Sequence, residues 1–196
     1  VLERRTRRWR LWDLAAGTPL DDYFELVSES PVESWYNPVL SPDNRVFALS
    51  VVSDGRLLVW HRGDPRARLV ARVRPGRHFP FLAFPPNAAF LAAAQTCRNG
   101  AVAVWNLPGG DLRWTARQEV FVWALAAHPN GRLLAVATVG GPGGKAVRFL
   151  DAATGAEVAR FNWNAGKVRC LAFSPDGLTC AAGCSDRRLV VWDVDA

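Results

Sequence analysis

At 196 residues the chain is long enough for one ordinary domain with a sizeable core, and 49% apolar against 21% charged residues exclude a disordered segment. No window approaches twenty uninterrupted apolar residues, which excludes a helical membrane span. The net charge of +6 comes almost entirely from Arg, with 22 Arg against 2 Lys, and alongside abundant Ala this skew reads as compositional bias rather than a dedicated cationic function.

The chain opens on a basic, aromatic stretch in which Arg4, Arg5, Arg7, Arg8 and Arg10 are interleaved with Trp9 and Trp12. One reading is a phosphate-binding strip with aromatics for stacking. The favoured one is a strand with a solvated Arg face whose partner strands lie outside the chain. Arg10-Leu11-Trp12-Asp13 closes this strand, Leu14 to Gly17 breaks it, and Leu20 to Val27 can form another. The segment before Ser41 supplies a strand that turns at Ser41-Pro42-Asp43-Asn44. Arg45 to Val52, rich in β-formers, follows. Ser53-Asp54-Gly55 is a turn signal, Arg56 to Trp60 a strand, Gly63-Asp64-Pro65 a break, and Leu69 to Val73 a last strand. The unit is four short antiparallel strands.

The same plan recurs along the chain. The turn returns as Pro85-Pro86-Asn87-Ala88, His128-Pro129-Asn130-Gly131 and Ser174-Pro175-Asp176-Gly177. The apolar segment ending in a large residue returns as Leu58-Val59-Trp60-His61, Ala103-Val104-Trp105-Asn106, Arg148-Phe149-Leu150-Asp151 and Val190-Val191-Trp192-Asp193. Breaks follow at Pro108-Gly109-Gly110 and Ala152 to Gly155, and the Gly140 to Gly144 run with Pro142 predicts a lengthened loop. The turn prolines are spaced 44, 43 and 46 residues apart and the anchors 48, 45, 45 and 42, with each turn 17 to 21 residues before its anchor. Two ladders that keep phase mark an internal repeat. No segment has convincing helical periodicity, so the expected fold class is all-β.

These two ladders resemble the WD-repeat family over essentially the whole chain. The resemblance implies four-stranded blades of a β-propeller, with Trp12, Trp60, Trp105, Leu150 and Trp192 as structural anchors between blades. Units are expected at about 1–30 (partial), 31–75, 76–118, 119–164 and 165–196 (partial). That makes a propeller fragment of three complete blades and two partial ones, the first contributing its last two strands. The family places an Asp six residues before the anchor, where Asp54 and Asp186 fit, Asn99 is a near substitute, and Thr6 and Gly144 do not match. The Ser or Thr four residues earlier is matched by Ser50 but replaced by Ala182, and the opening Gly-His pair is only approximated by Gly76-Arg77-His78. The polar His–Ser–Asp–Trp network that such repeats often carry is therefore complete in no unit, and apolar packing is expected to dominate.

The chain starts at Val1 and has no Met, so it is expected to be a piece of a longer protein with earlier blades upstream. The other arrangement sets Leu20 to Val27 beside Arg188 to Trp192 and closes a tight ring.

Nothing convergent points to catalysis. His61 follows an anchor, His128 lies in a turn and His78 in a connection, and all three read as lone surface or turn histidines. No nucleophile elbow, P-loop, dinucleotide fingerprint or zinc spacing occurs. Cys97, Cys170, Cys180 and Cys184 read as small buried thiols in a reducing, cytoplasmic compartment. No catalytic residue, metal or cofactor is expected. The resemblance implies a binding module whose partners are other proteins, with nucleic acid as an alternative resting on the Arg4–Arg10 cluster, or a non-catalytic part of an enzyme or kinase whose active domain lies outside this chain. Aligning the units on their turn prolines puts Tyr36, Pro80, Trp123 and Arg169 at equivalent places near the start of each innermost strand. In the family that position opens onto the narrow face of the propeller, so Tyr36, Trp123 and Arg169 are the candidate protein-binding residues.

Overall fold

A computed structural model of the chain describes residues 2–3, 8–13, 15–25, 35–74, 77–97, 100–117, 120–140 and 144–194, and of these the side chains of 2–3, 8–11, 21–25 and 35–37 lie outside the description. Every regular element among the described residues is a strand. Five antiparallel sheets follow one another along the chain. The first joins β1 (Leu2–Glu3), β2 (Arg8–Asp13) and β3 (Thr18–Glu25). The second joins β4 (Trp35–Leu40), β5 (Val46–Val51), β6 (Arg56–His61) and β7 (Arg68–Arg72). The third joins β8 (Phe81–Ala83), β9 (Phe90–Ala94), β10 (Ala101–Asn106) and β11 (Leu112–Arg117). The fourth joins β12 (Phe121–Ala127), β13 (Leu133–Val139), β14 (Lys145–Asp151) and β15 (Glu157–Phe161). The fifth joins β16 (Val168–Phe173), β17 (Thr179–Cys184) and β18 (Leu189–Asp193). Three four-stranded sheets and two three-stranded ones, each in simple sequential order, are the architecture of a WD-repeat propeller fragment.

One detail of the first sheet differs from expectation: it has a third strand, β1, where two were expected. The strand expected over Leu20 to Val27 pairs with β2, from Asp13↔Thr18 to Arg8↔Glu25, so it is the outer strand of its own sheet, as the favoured reading has it, and not a partner of Arg188 to Trp192.

The chain divides into two compact units, Val1–Leu40 with Asn44–His78, and Ser41–Asp43 with Phe79–Ala196. In the first unit, Phe47 pairs with Trp60 and Leu49 with Leu58 across β5 and β6, and these side chains form a core with Val51 and Ala67. The other face of the same two strands is also buried, by Val46, Ala48, Leu57 and Val59. The Trp60 indole donates to the Asp64 carbonyl at 2.6 Å, which satisfies its polar edge. Gly55 closes the turn before β6 with φ +71°, and a Cβ there would lie 2.3 Å from the Val73 carbonyl oxygen, so both conformation and space require glycine.

In the second unit, alternation assigns the side chains of each middle strand to two different cores. On β13, Leu134 and Val136 pack with Phe90, Ala92, Val104, Val122 and Leu150. Ala135 and Ala137 of the same strand pack with Ala124, Val147, Phe149, Val168 and Ala182. A strand buried on both faces reads as a continuous apolar run, which is why Leu133–Val139 shows no polar alternation. The second core is aromatic: the Phe149 ring lies 5.4 Å from Phe161, 5.9 Å from Phe173 and 6.2 Å from Trp192, and Trp192 lies 4.4 Å from Trp163.

Polar ties join the edges of these sheets. Trp114 Nε1 and Arg113 Nη1 on β11 both donate to the Ala152 carbonyl in the turn after β14, at 2.9 and 3.2 Å. At the other end His128 accepts from the Asn130 N–H at Nδ1, so its proton sits on Nε2 and is donated to the Gly177 carbonyl at 3.0 Å. The sequence placed His128 as a lone surface or turn histidine. It does lie in the turn, but it is only 6% exposed and is packed edge-on to Phe173, because the turn of the next repeat covers it. The fifth sheet differs from its neighbours: Leu189 on β18 is 70% exposed, and Leu178 and Val191 are exposed with it.

A matched pair of variants isolates the turn-to-turn contact. Gly63 (φ +91°) has nothing within 4 Å of an added Cβ, whereas at Gly177 (φ +78°) that atom would lie 2.5 Å from the His128 ring. Gly63→Ala is expected to cost about 1 kcal/mol of backbone strain, and Gly177→Ala at least about 1 kcal/mol more, since the ring must leave its seat. Urea unfolding midpoints of the two proteins measure the difference, and equal losses would mean the contact contributes nothing. By the same assay Phe149→Ala should cost ~3–5 kcal/mol and Leu189→Ala less than about 0.5 kcal/mol.

Candidate protein-binding surface

The site begins with a problem of alternation. Strands β12 and β16 are innermost strands, and side chains that alternate strictly would all enter one core or the other. Both strands carry a bulge. The pairing of β12 with β13 skips Trp123, between Val122↔Thr138 and Ala124↔Ala137. The pairing of β16 with β17 skips Arg169, between Val168↔Cys184 and Cys170↔Gly183. The bulge reverses the assignment of side chains downstream. Val122 faces the first core, yet Ala124, two residues on, faces the second. Val168 faces the second core, and so do Leu171 and Phe173, three and five residues on. An inserted residue of this kind belongs to neither packed face and is aimed elsewhere.

The two inserted side chains meet. The Arg169 guanidinium lies 4.6 Å from the centre of the Trp123 ring, and the Lys167 ammonium lies 5.4 Å from the same centre. Arg169 is exposed and Trp123 half-buried. The Trp123 Nε1 is buried and meets no acceptor. Sequence alignment of the units foresaw Trp123 and Arg169 as equivalent positions, and the structure places them against each other. It missed Lys167, whose only sequence signal is that it is one of the two Lys in an Arg-rich chain.

The remaining equivalents differ. Tyr36 pairs with Ser50 at the start of β4, just before a register shift, and its side chain lies outside the described residues. Pro80 is buried and immediately precedes β8, whose pairing has no bulge. Among the anchors, Trp60, Trp105 and Leu150 are buried on β6, β10 and β14, Trp192 is half-buried on β18, and Trp12 on β2 is 44% exposed. Of the basic cluster, Arg4, Arg5 and Arg7 lie outside the described residues, as do the side chains of Arg8 and Arg10.

The connection that leads into β16 is held by Asp186. Its Oδ2 accepts the Gly166 N–H at 2.7 Å and ion-pairs with Arg188 at 2.5 Å, while Arg188 Nη2 donates to the Asn164 carbonyl at 2.9 Å. Beside it, Ser185 Oγ accepts the Lys167 N–H and the Ser185 N–H donates to the Lys167 carbonyl. A Cβ on Gly166 would lie 2.7 Å from the Asp186 nitrogen, so the close approach needs glycine. Asp54 uses the same device, pairing with Arg56 two residues on and accepting the Arg56 N–H. The hydrogen bond from Arg188, reinforced by the Gly166 N–H against the opposing effect of burial, holds the Asp186 carboxyl at about 2.

Among the described residues no three of His, Cys, Asp and Glu come together to hold a metal ion. The cysteines are all free, but the expectation that all are buried fails: Cys180 is buried, with its thiol pushed up to about 12 by burial, whereas Cys170 is exposed. Cys170 lies on the exposed face of the fifth sheet, downstream of the bulge that reverses β16. Among the described residues no helix is long and apolar enough to cross a membrane.

Comparison with known proteins agrees with this architecture. Residues 155–193 match the family described as WD domain, G-beta repeat. WD repeat-containing protein SL1-17 of Schistosoma mansoni is 30% identical over 148 residues, covering 75% of this chain and 46% of that protein. Striatin-4 of Mus musculus is 25% identical over 211 aligned positions, covering 98% of this chain and 26% of that protein. Striatin-4 of Homo sapiens is 24% identical, with 95% and 26% covered. The chain thus spans less than half the length of these relatives.

The Asp186 carboxyl gives a testable acid dependence. Its folded value of about 2 lies below the ordinary 3.8, so it contributes stability that is complete above about pH 4 and lost as pH falls towards 2. In Asp186→Asn this part of the acid-unfolding profile should flatten. Urea midpoints at stepped pH record it, and an unchanged slope would assign the acid sensitivity to other carboxylates.

Proposed function

Because the chain belongs to the WD-repeat family, we propose that it is a non-enzymatic protein-interaction module, a scaffold or sensor built from repeats, forming part of a larger cytoplasmic protein. The observation that carries this reading is the pair of bulged side chains. Trp123 and Arg169 leave the packed faces of β12 and β16 and meet one another instead of entering a core. Trp and Arg are residue types enriched where binding energy concentrates, and here the sheets themselves preset their positions. The relatives support a repeat-built binding module.

The test is affinity capture from lysate with the wild-type chain and with a Trp123→Ala/Arg169→Ala variant whose circular dichroism and melting curve match wild type. Proteins retained by wild type and lost by the variant are the expected result. The same set recovered by both would move the binding surface away from this site.

A further inference from the structure

The surface around Trp123 is cationic in a particular way. Lys167 and Arg169 are two residues apart at the start of β16, and both carry their charge over one indole ring. Neither has a carboxylate partner among the described residues, although Asp186 lies close in the fold. Asp186 is already committed to Arg188 and to the Gly166 N–H. Lys145 at the start of β14 and Arg187 in the turn before β18 add two exposed cations to the same end of these sheets. Among the described residues the charge of Lys167 and Arg169 is therefore left uncompensated, while the neighbouring Asp186 is held in a structural pair.

We propose that Trp123, Lys167 and Arg169 form the seat for an acidic peptide segment of a partner protein, with its carboxylates paired to Lys167 and Arg169. This rests on the protein-interaction reading and names the chemistry of the partner. A surface ion pair is ordinarily weak because two long side chains must be ordered to make it. Here the indole ring has already ordered both cations, so less freedom is lost when a carboxylate arrives. The planar Arg169 guanidinium can take a carboxylate through two parallel N–H bonds, and Lys167 supplies a second point charge beside it. Nucleic acid fits less well. Its bases need an open aromatic face for stacking, and this ring already holds two cations.

The experiment uses the full chain and fluorescence anisotropy with three probes: a short Glu/Asp-rich peptide, a Lys-rich peptide of the same length, and a single-stranded oligothymidylate. The acidic peptide should bind, the Lys-rich peptide should not, and Lys167→Glu/Arg169→Glu should weaken the acidic peptide roughly tenfold or more. Arg132→Glu, at the other end of the fourth sheet, makes the same kind of charge change away from the cluster and should leave binding within about twofold of wild type. Trp123→Leu, which keeps an apolar filler but removes the ring, should give an intermediate loss. The proposal is overturned if the acidic peptide does not bind, if Arg132→Glu weakens it as much as the double variant does, or if the oligonucleotide binds more tightly with a steep salt dependence. If the acidic peptide fails while partner capture still depends on Trp123 and Arg169, protein binding stands and only this assignment falls. If both fail, the surface is not a binding site.

Discussion

A four-stranded sheet of this size cannot bury its own faces, and that constraint shapes the rest of the molecule. The middle strands β5, β9, β10 and β13 are buried almost throughout, and on β13 the side chains are shared between two cores on opposite faces. Each buried Leu, Val or Phe contributes roughly 1.5–3 kcal/mol of transfer free energy, but only where a neighbouring sheet covers it. In the second unit much of the stability is therefore held at the contacts between repeats. The small side chains on these faces, Ala92 and Ala94 in one core and Ala135 and Ala137 in the other, leave room for the large ones opposite, such as Leu134 and Phe149. The exposed Leu189 and Val191 show the same sequence logic where a face is not covered.

Polar interactions are arranged around that packing. The resemblance implied an Asp at the turn before the anchor strand, and both Asp54 and Asp186 occupy it. Each of these Asp residues meets an Arg two residues later. Asp186 reaches back to Gly166 and, through Arg188, to Asn164, so it fastens the incoming connection directly. This pair is exposed, so solvent screens it and its contribution to global stability is smaller than the lowered carboxyl alone would imply. The Asp54–Arg56 pair is different, because Arg56 is buried, and loss of Asp54 would remove an ion-pair partner from a charge in a low-dielectric setting.

What was legible in the sequence was local. The strand read over Arg45 to Val52 is β5 at Val46–Val51, and the turns are found at the Pro-centred motifs, because short-range signals specify strands and turns. What was not legible depends on partners distant in the chain. Leu2–Glu3 is too short to carry any periodicity. His128 reads as a solvated turn residue, yet its burial is decided by Gly177, 49 residues away. Lys167 has no local mark at all, since its position over Trp123 is produced by contact between two sheets.

The bulges connect this packing to function. A strand covered on both faces has no side chain to spare for a partner, because strict alternation consigns each one to a core. Function must then sit in loops, at strand ends, or where the alternation is broken. The chain breaks it at the same place in consecutive repeats, six residues before the turn proline, and fills the break with Trp123 in one and Arg169 in the next. At the equivalent position of the repeat before them stands Pro80, which lacks an N–H and precedes a strand of only three residues. There the ladder has no bulge and the side chain is buried. One position in the repeat thus switches between packing and presentation according to whether an extra residue is inserted. The repeats can keep their cores nearly constant while the inserted residue changes.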